Sequence, residues 1–133
     1  MNVRLLILLW IPLLLASCEE KELKGSYIVE QVVDTPITGD GVTIIITKDD
    51  GYRISGNNSC NEYGADINYD GSNYISIGQT VSTRMYCEDT KDIERLYMST
   101  LGKVAQYRFS QGKLTLLDKD GITIITARKT KTE

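Results

Sequence analysis

The chain has 133 residues, a formal net charge of -3 and no histidine. Its length allows one modest domain with its own core, and mild acidity without a basic cluster argues against nucleic acid or anionic lipid as principal partner. The missing histidine removes Ser-His and Cys-His nucleophilic pairs together with the commonest zinc ligand.

Residues 1–17 read as a secretory signal: Arg4 supplies a positive start, "LLILLWIPLLL" an apolar run and "LAS" a small-residue cleavage site. The run from Leu5 to Leu15 is too short to span a bilayer, which needs about 20 apolar residues. Leu15, Ala16, Ser17 and Cys18 resemble a bacterial lipobox, which implies cleavage before Cys18 and acylation, palmitate included, of the new N-terminal cysteine. Several acyl chains on one residue anchor firmly, at about 0.8 kcal/mol per buried methylene. Residues 18–24 then form a charged tether, readable either as a plain spacer or as the acidic tag of a surface-exposed lipoprotein.

From residue 25 onward, short β-branched or alternating runs separated by turn signals predict a meandering antiparallel sheet. The strands are "SYIVEQVV", "GVTIIITK", "YRISG", "GADINY", "NYISIG", "VAQYRFS", "KLTLLD" and "ITIITARK". Tight turns with positive φ are expected at "KDDG", "YDGSN", "QGK" and "DKDG". One segment, "EDTKDIERLYMSTLGKV", places Ile93, Leu96, Tyr97, Leu101 and Val104 at helical spacing. Asp89 or Thr90 is the expected N-cap and Gly102 the expected terminator. The fold class is α+β: a curved, partly closed antiparallel sheet of about 7–8 strands packed on a single helix.

Candidate chemistry is sparse. Glu62, Asp66, Asp89, Asp92 and Glu94 are available carboxylates, but nothing in the sequence drives two of their pKa values apart, as acid/base catalysis requires. The spacing of Asp66, Asn68, Asp70 and Gly71 imitates the first half of a calcium loop, yet Ile77 stands where a bidentate Glu belongs, so a hairpin is expected. With Cys18 assigned to lipid, Cys60 and Cys87 form an even pair in an oxidising compartment, which favours a disulfide. Two buried free thiols, or a redox-active pair activated by Arg84 and the helix start, are the alternatives.

"SGNNSCNEYGADI", "STRMYC", "DIERLYMSTLGKVAQY" and "KLTLLD" together resemble the META/HslJ-like domain, over residues 25–130. Cys60, Asn61 and Tyr63 fit its first motif, Thr83, Met85 and Cys87 its second, and Glu94, Leu101, Leu114 and Leu116 the remainder. Ser59 replaces a usual Gly, Tyr86 a usual Ala, and Tyr27 an often-found Trp. The resemblance implies an α+β module common on envelope lipoproteins and linked to heat-shock response and secretion, with no established catalytic activity. Asn61, Tyr63, Thr83, Met85 and Glu94 are therefore expected to be structural.

The functional expectation is a non-enzymatic, monomeric lipoprotein of the bacterial envelope, held at the outer membrane through Cys18, without cofactor, metal or nucleic acid, and interacting with an envelope protein. A carrier of a small apolar ligand is the competing reading, with Tyr97, Met98 and Tyr107 beside a sheet-helix pocket.

Overall fold

A computed structural model describes residues 23–39 and 41–131. Cys18, the signal segment and the tether up to residue 22 lie outside the described residues.

The elements follow one another as β1 (Gly25–Val32), β2 (Thr35–Pro36), β3 (Thr43–Lys48), β4 (Tyr52–Asn57), β5 (Glu62–Tyr69), β6 (Ile75–Ile77), β7 (Val81–Ser82), α1 (Lys91–Leu101), β8 (Gln106–Ser110), β9 (Lys113–Leu117) and β10 (Thr123–Lys129). The strands form one antiparallel sheet ordered β6-β5-β4-β3-β1-β10-β9-β8, with β2 beside β1 and β7 beside β5. The two outer strands then meet. Ile75 N donates to Ala105 O (3.1 Å) and Tyr107 N to Asn73 O (3.0 Å), so the sheet is nearly closed into a barrel.

Alternation explains which side faces inward. Tyr27 and Val29 on β1, Ile44 and Ile46 on β3, Tyr63, Ala65 and Ile67 on β5, and Leu114 and Leu116 on β9 are all buried, each set at a two-residue period. Register breaks near Glu30 in β1 and Ile124 in β10 supply the local bending that closure of a sheet requires.

Strand directions define two ends. The hairpin end carries the turns at 49–51, 70–74 and 111–112, together with Leu23 at the entry to β1. The disulfide end carries Asn58 to Asn61, the turns at 33–34 and 118–122, and α1. The helix buries Tyr97, Thr100 and Leu101 and packs against β1 and β10, so it closes the disulfide end while Leu23, 1% exposed, helps to fill the hairpin end.

The α+β architecture is as expected, with ten strands instead of 7–8. The two extra strands have two residues each, too short for any period to register. The helix is capped where expected, at Thr90 and Gly102, but with unconventional geometry at both. Thr90 occupies the N-cap without a side-chain cap bond; its Oγ1 donates instead to Ser59 O (3.2 Å). Gly102 ends the helix at φ -66°, in ordinary right-handed geometry, so its freedom to adopt positive φ is unused. At "KDDG", Gly51 likewise has no positive φ, unlike Gly71, Gly112 and Gly121 in the other expected turns.

Candidate interaction surface and its buried polar hub

The motif residues converge at the disulfide end. Between Asn57 and Glu62 the chain leaves β4, makes a tight loop and enters β5. Asn57 Oδ1 accepts from Ser59 N (2.9 Å), and Asn58 Oδ1 accepts from Asn61 N (2.7 Å) and Cys60 N (3.3 Å). Asn side chains replace missing backbone partners in this way wherever a loop is buried. Ser59 takes φ 86°, a region that favours glycine, which accounts for the family's usual Gly at this place. Gly56 is required for another reason: at its φ of 152°, a Cβ would lie 2.1 Å from Thr43 O.

Asn61, 2% exposed, uses its whole amide. Its Nδ2 donates to Met85 O (3.0 Å) and Glu94 Oε1 (2.8 Å), while its Oδ1 accepts from Met85 N (2.7 Å) and Thr83 Oγ1 (2.9 Å). Glu94 also accepts from Asn58 Nδ2 (3.4 Å). One buried amide thus ties β5, the 83–87 segment and α1 together. No buried side-chain polar atom among the described residues lacks a partner, as a stable network requires.

Cys60 and Cys87 are bonded, with Cα atoms 5.8 Å apart. The two-free-thiol alternative therefore does not describe this fold. The bridge fixes the far end of a segment that has little backbone pairing of its own: between β6 and α1 the only strand is Val81–Ser82. That segment displays apolar side chains outward, with Val81 72%, Met85 64% and Tyr86 74% exposed. Tyr86 additionally hydrogen-bonds the Glu88 carboxylate. Arg84 is exposed beside them.

Beneath this loop lies a tyrosine pair. Tyr63 Oη donates to Thr43 O (2.9 Å), so the Tyr97 hydroxyl is the donor in the 2.6 Å contact between the two rings' oxygens. Burial pushes the Tyr63 hydroxyl pKa up, partly opposed by the hydrogen bond it accepts from Tyr97. Burial also pushes Tyr97 up, reinforced by the adjacent Tyr63. Both stay neutral at any physiological pH and serve as hydrogen-bonding core residues.

The site residues foreseen from sequence therefore divide cleanly. Asn61, Tyr63, Thr83, Glu94, Cys60 and Cys87 meet at one end. Met85 takes part through its backbone and exposes its side chain. Leu101, Leu114 and Leu116 are core. Asn58, fully buried, was not singled out; the doubled Asn in "GNN" was its signal. Tyr97, Met98 and Tyr107 do not line a common pocket. Tyr97 and Leu101 fill the sheet-helix contact, and Tyr107 bonds Tyr69 (3.1 Å) while Tyr97 bonds Tyr63, six positions and about 20 Å earlier along β5. Tyr107 lines a groove of about 430 Å³ with Tyr69 and Phe109, and a groove of about 590 Å³ lies beside it at the hairpin end; neither is lined by Tyr97 or Met98. In the calcium-like stretch, Asp66 is engaged with Arg53 (3.0 Å) and Asp70 with Ser72, whose hydroxyl holds that carboxyl below its ordinary pKa. Among the described residues no group of His, Cys, Asp and Glu could hold a metal ion, and no helix is long and apolar enough to cross a membrane.

These features define a small α+β module: a nearly closed antiparallel barrel, one end capped by a helix and stapled by a disulfide. The META domain matches residues 21–131, and the chain belongs to that family. Solved structures share its shape at low identity. A protein from Burkholderia xenovorans, determined by NMR, is 20% identical with a TM-score of 0.62, covering 82% of this chain and 83% of that one. A DUF4847 family protein from Bacteroides vulgatus, solved by crystallography, is 14% identical with a TM-score of 0.60, covering 83% and 95%. No curated protein matches the chain.

Proposed function

We propose that this chain is a non-enzymatic lipoprotein of the bacterial envelope, anchored through acylated Cys18, whose META domain engages an envelope protein during stress or export. The observation that carries the reading is the 81–87 surface. A disulfide, a fully used buried amide and a glutamate on α1 all serve to hold one loop in a fixed shape, and that loop turns Val81, Met85 and Tyr86 into solvent. Rigid presentation of an aromatic and a methionine lowers the entropic cost of association and suits a binding anchor. Nothing in the hub offers a nucleophile with an adjacent base.

The test is a photo-cross-linker placed at position 86 in living cells. One reproducible protein adduct, lost when Cys60 and Cys87 are both replaced by alanine, is the expected result; absence of any discrete adduct overturns the reading. The anchor is tested separately by labelled palmitate, whose incorporation must disappear in Cys18→Ser.

A further inference from the structure

The hairpin end holds the other unexplained surface. Tyr52, Ile67, Tyr69, Tyr74 and Ile75 line its groove of about 590 Å³, and Tyr74 is 61% exposed. Rings interlock around it: Tyr52 packs edge-on to Tyr69 at 5.1 Å, and Tyr69 to Tyr107 at 5.9 Å. Lys48 Nζ lies at its margin, 5.3 Å from the Tyr52 ring, and Lys129 Nζ lies 5.4 Å from the Phe109 ring of the adjoining groove.

The chain enters the barrel at this same end. Leu23 is buried and its carbonyl accepts from the Tyr27 hydroxyl (3.0 Å), so the tether is counted from Leu23. Five residue steps separate it from Cys18, a reach of at most about 18 Å even when fully extended. Tilted by about 35–45° as barrel strands are, the eight residues of β1 rise roughly 19–22 Å along the barrel axis at 3.3 Å per residue, and α1 at the far end adds about 10 Å of helix diameter. Turning the disulfide end toward the anchoring bilayer would raise Leu23 by more than the tether can reach. Inversion is therefore excluded by length.

We infer, resting on acylation of Cys18, that the hairpin end faces and touches the bilayer holding the chain's own acyl anchor, with Tyr74 at headgroup level and the disulfide end directed away. Tyrosine, apolar along its ring and polar at its tip, is favoured at that depth. Charge contributes little. Lys24, Lys48, Lys113, Lys129 and Lys131 exceed Asp49, Asp50 and Asp70 by two at the same end, and Glu19, Glu20 and Glu22 exceed Lys21 by two in the tether, so the charges cancel. The contact should accordingly survive high salt.

The experiment uses full-length, membrane-extracted protein reconstituted into vesicles of phosphatidylethanolamine and phosphatidylglycerol carrying brominated acyl chains. The sole tryptophan, Trp10, lies in the signal segment, so Tyr74→Trp and Tyr86→Trp each give a mature chain with one reporter. Trp at 74 is expected to be quenched more than about twofold, as for a ring at the interface. The quenching should be unchanged in about 0.5 M salt, where charges are screened within a few ångströms; Trp at 86 stays unquenched. Equal quenching of both, or none at 74, overturns the inference. Intact mass separates the two failures: acylated protein without quenching at 74 sinks the orientation alone, whereas a Cys18 without acyl mass sinks the anchor and the orientation with it.

Discussion

Asn61 concentrates more of the local structure in one side chain than any other polar residue here. It supplies both donors and both acceptor positions to partners on two other segments; its removal strips Met85 N of its partner and leaves Glu94 only the longer bond from Asn58. Asn61→Ala is expected to cost about 2–4 kcal/mol, because buried groups stripped of a partner lose their full desolvation penalty. Urea unfolding reads this directly, with the exposed Asn68→Ala as a control within about 0.5 kcal/mol of wild type. The Tyr63–Tyr97 pair makes a pH prediction. Burial raises both hydroxyls above the ordinary value of 10. Below that pH both are neutral in folded and unfolded chains alike; above it the unfolded chain loses protons that the folded one keeps. Stability therefore falls as pH rises past 10, by up to about 1.4 kcal/mol per pH unit for each tyrosine. Urea midpoints between pH 8 and 11 should decline less steeply in the Tyr63→Phe, Tyr97→Phe double variant.

At the scale of elements, the disulfide and the helix end give contrasting expectations. Replacing Cys60 and Cys87 by alanine opens a loop spanning 27 positions and should cost about 3–4 kcal/mol in the chain-entropy description. Hydrogen exchange should rise first at Thr83 to Cys87, where few backbone bonds exist. Gly102→Ala should do the opposite. Its φ is -66° and a Cβ would approach nothing nearer than Ser99 O at 3.8 Å, so alanine gains about 0.4–1 kcal/mol by restricting the unfolded chain, visible as a higher melting temperature. Gly102 also marks where the sequence misleads: a glycine after a helical stripe signals a left-handed cap, yet Gly102 N instead bonds back to Met98 O (3.4 Å) and the turn stays right-handed. The long strands and α1 were legible because burial imposes a period of two or 3.6 on their apolar residues. β2 and β7 impose none. The disulfide was legible as arithmetic on three cysteines, and the hub residues as family motifs. That they share one amide was not, since Asn61, Met85 and Glu94 are brought together only by tertiary packing.

For the whole molecule, the decisive feature is that the first and last strands lie side by side. β1 lies between β3 and β10, with Tyr27 opposite both Ile44 and Lys129. Deleting residues 122–133 should therefore abolish cooperative unfolding altogether, rather than fray one edge, because β1 and β9 would each lose a neighbour and expose Val29 and Leu116. Circular dichroism with a urea titration checks this. Pairings this distant in sequence form late, since loop closure must precede any contact that rewards it. The consequence is one of timing. A chain emerging from the ribosome carries β1 to β9 before the strand that joins β1 to β9 exists, so cooperative folding of the domain waits for β10.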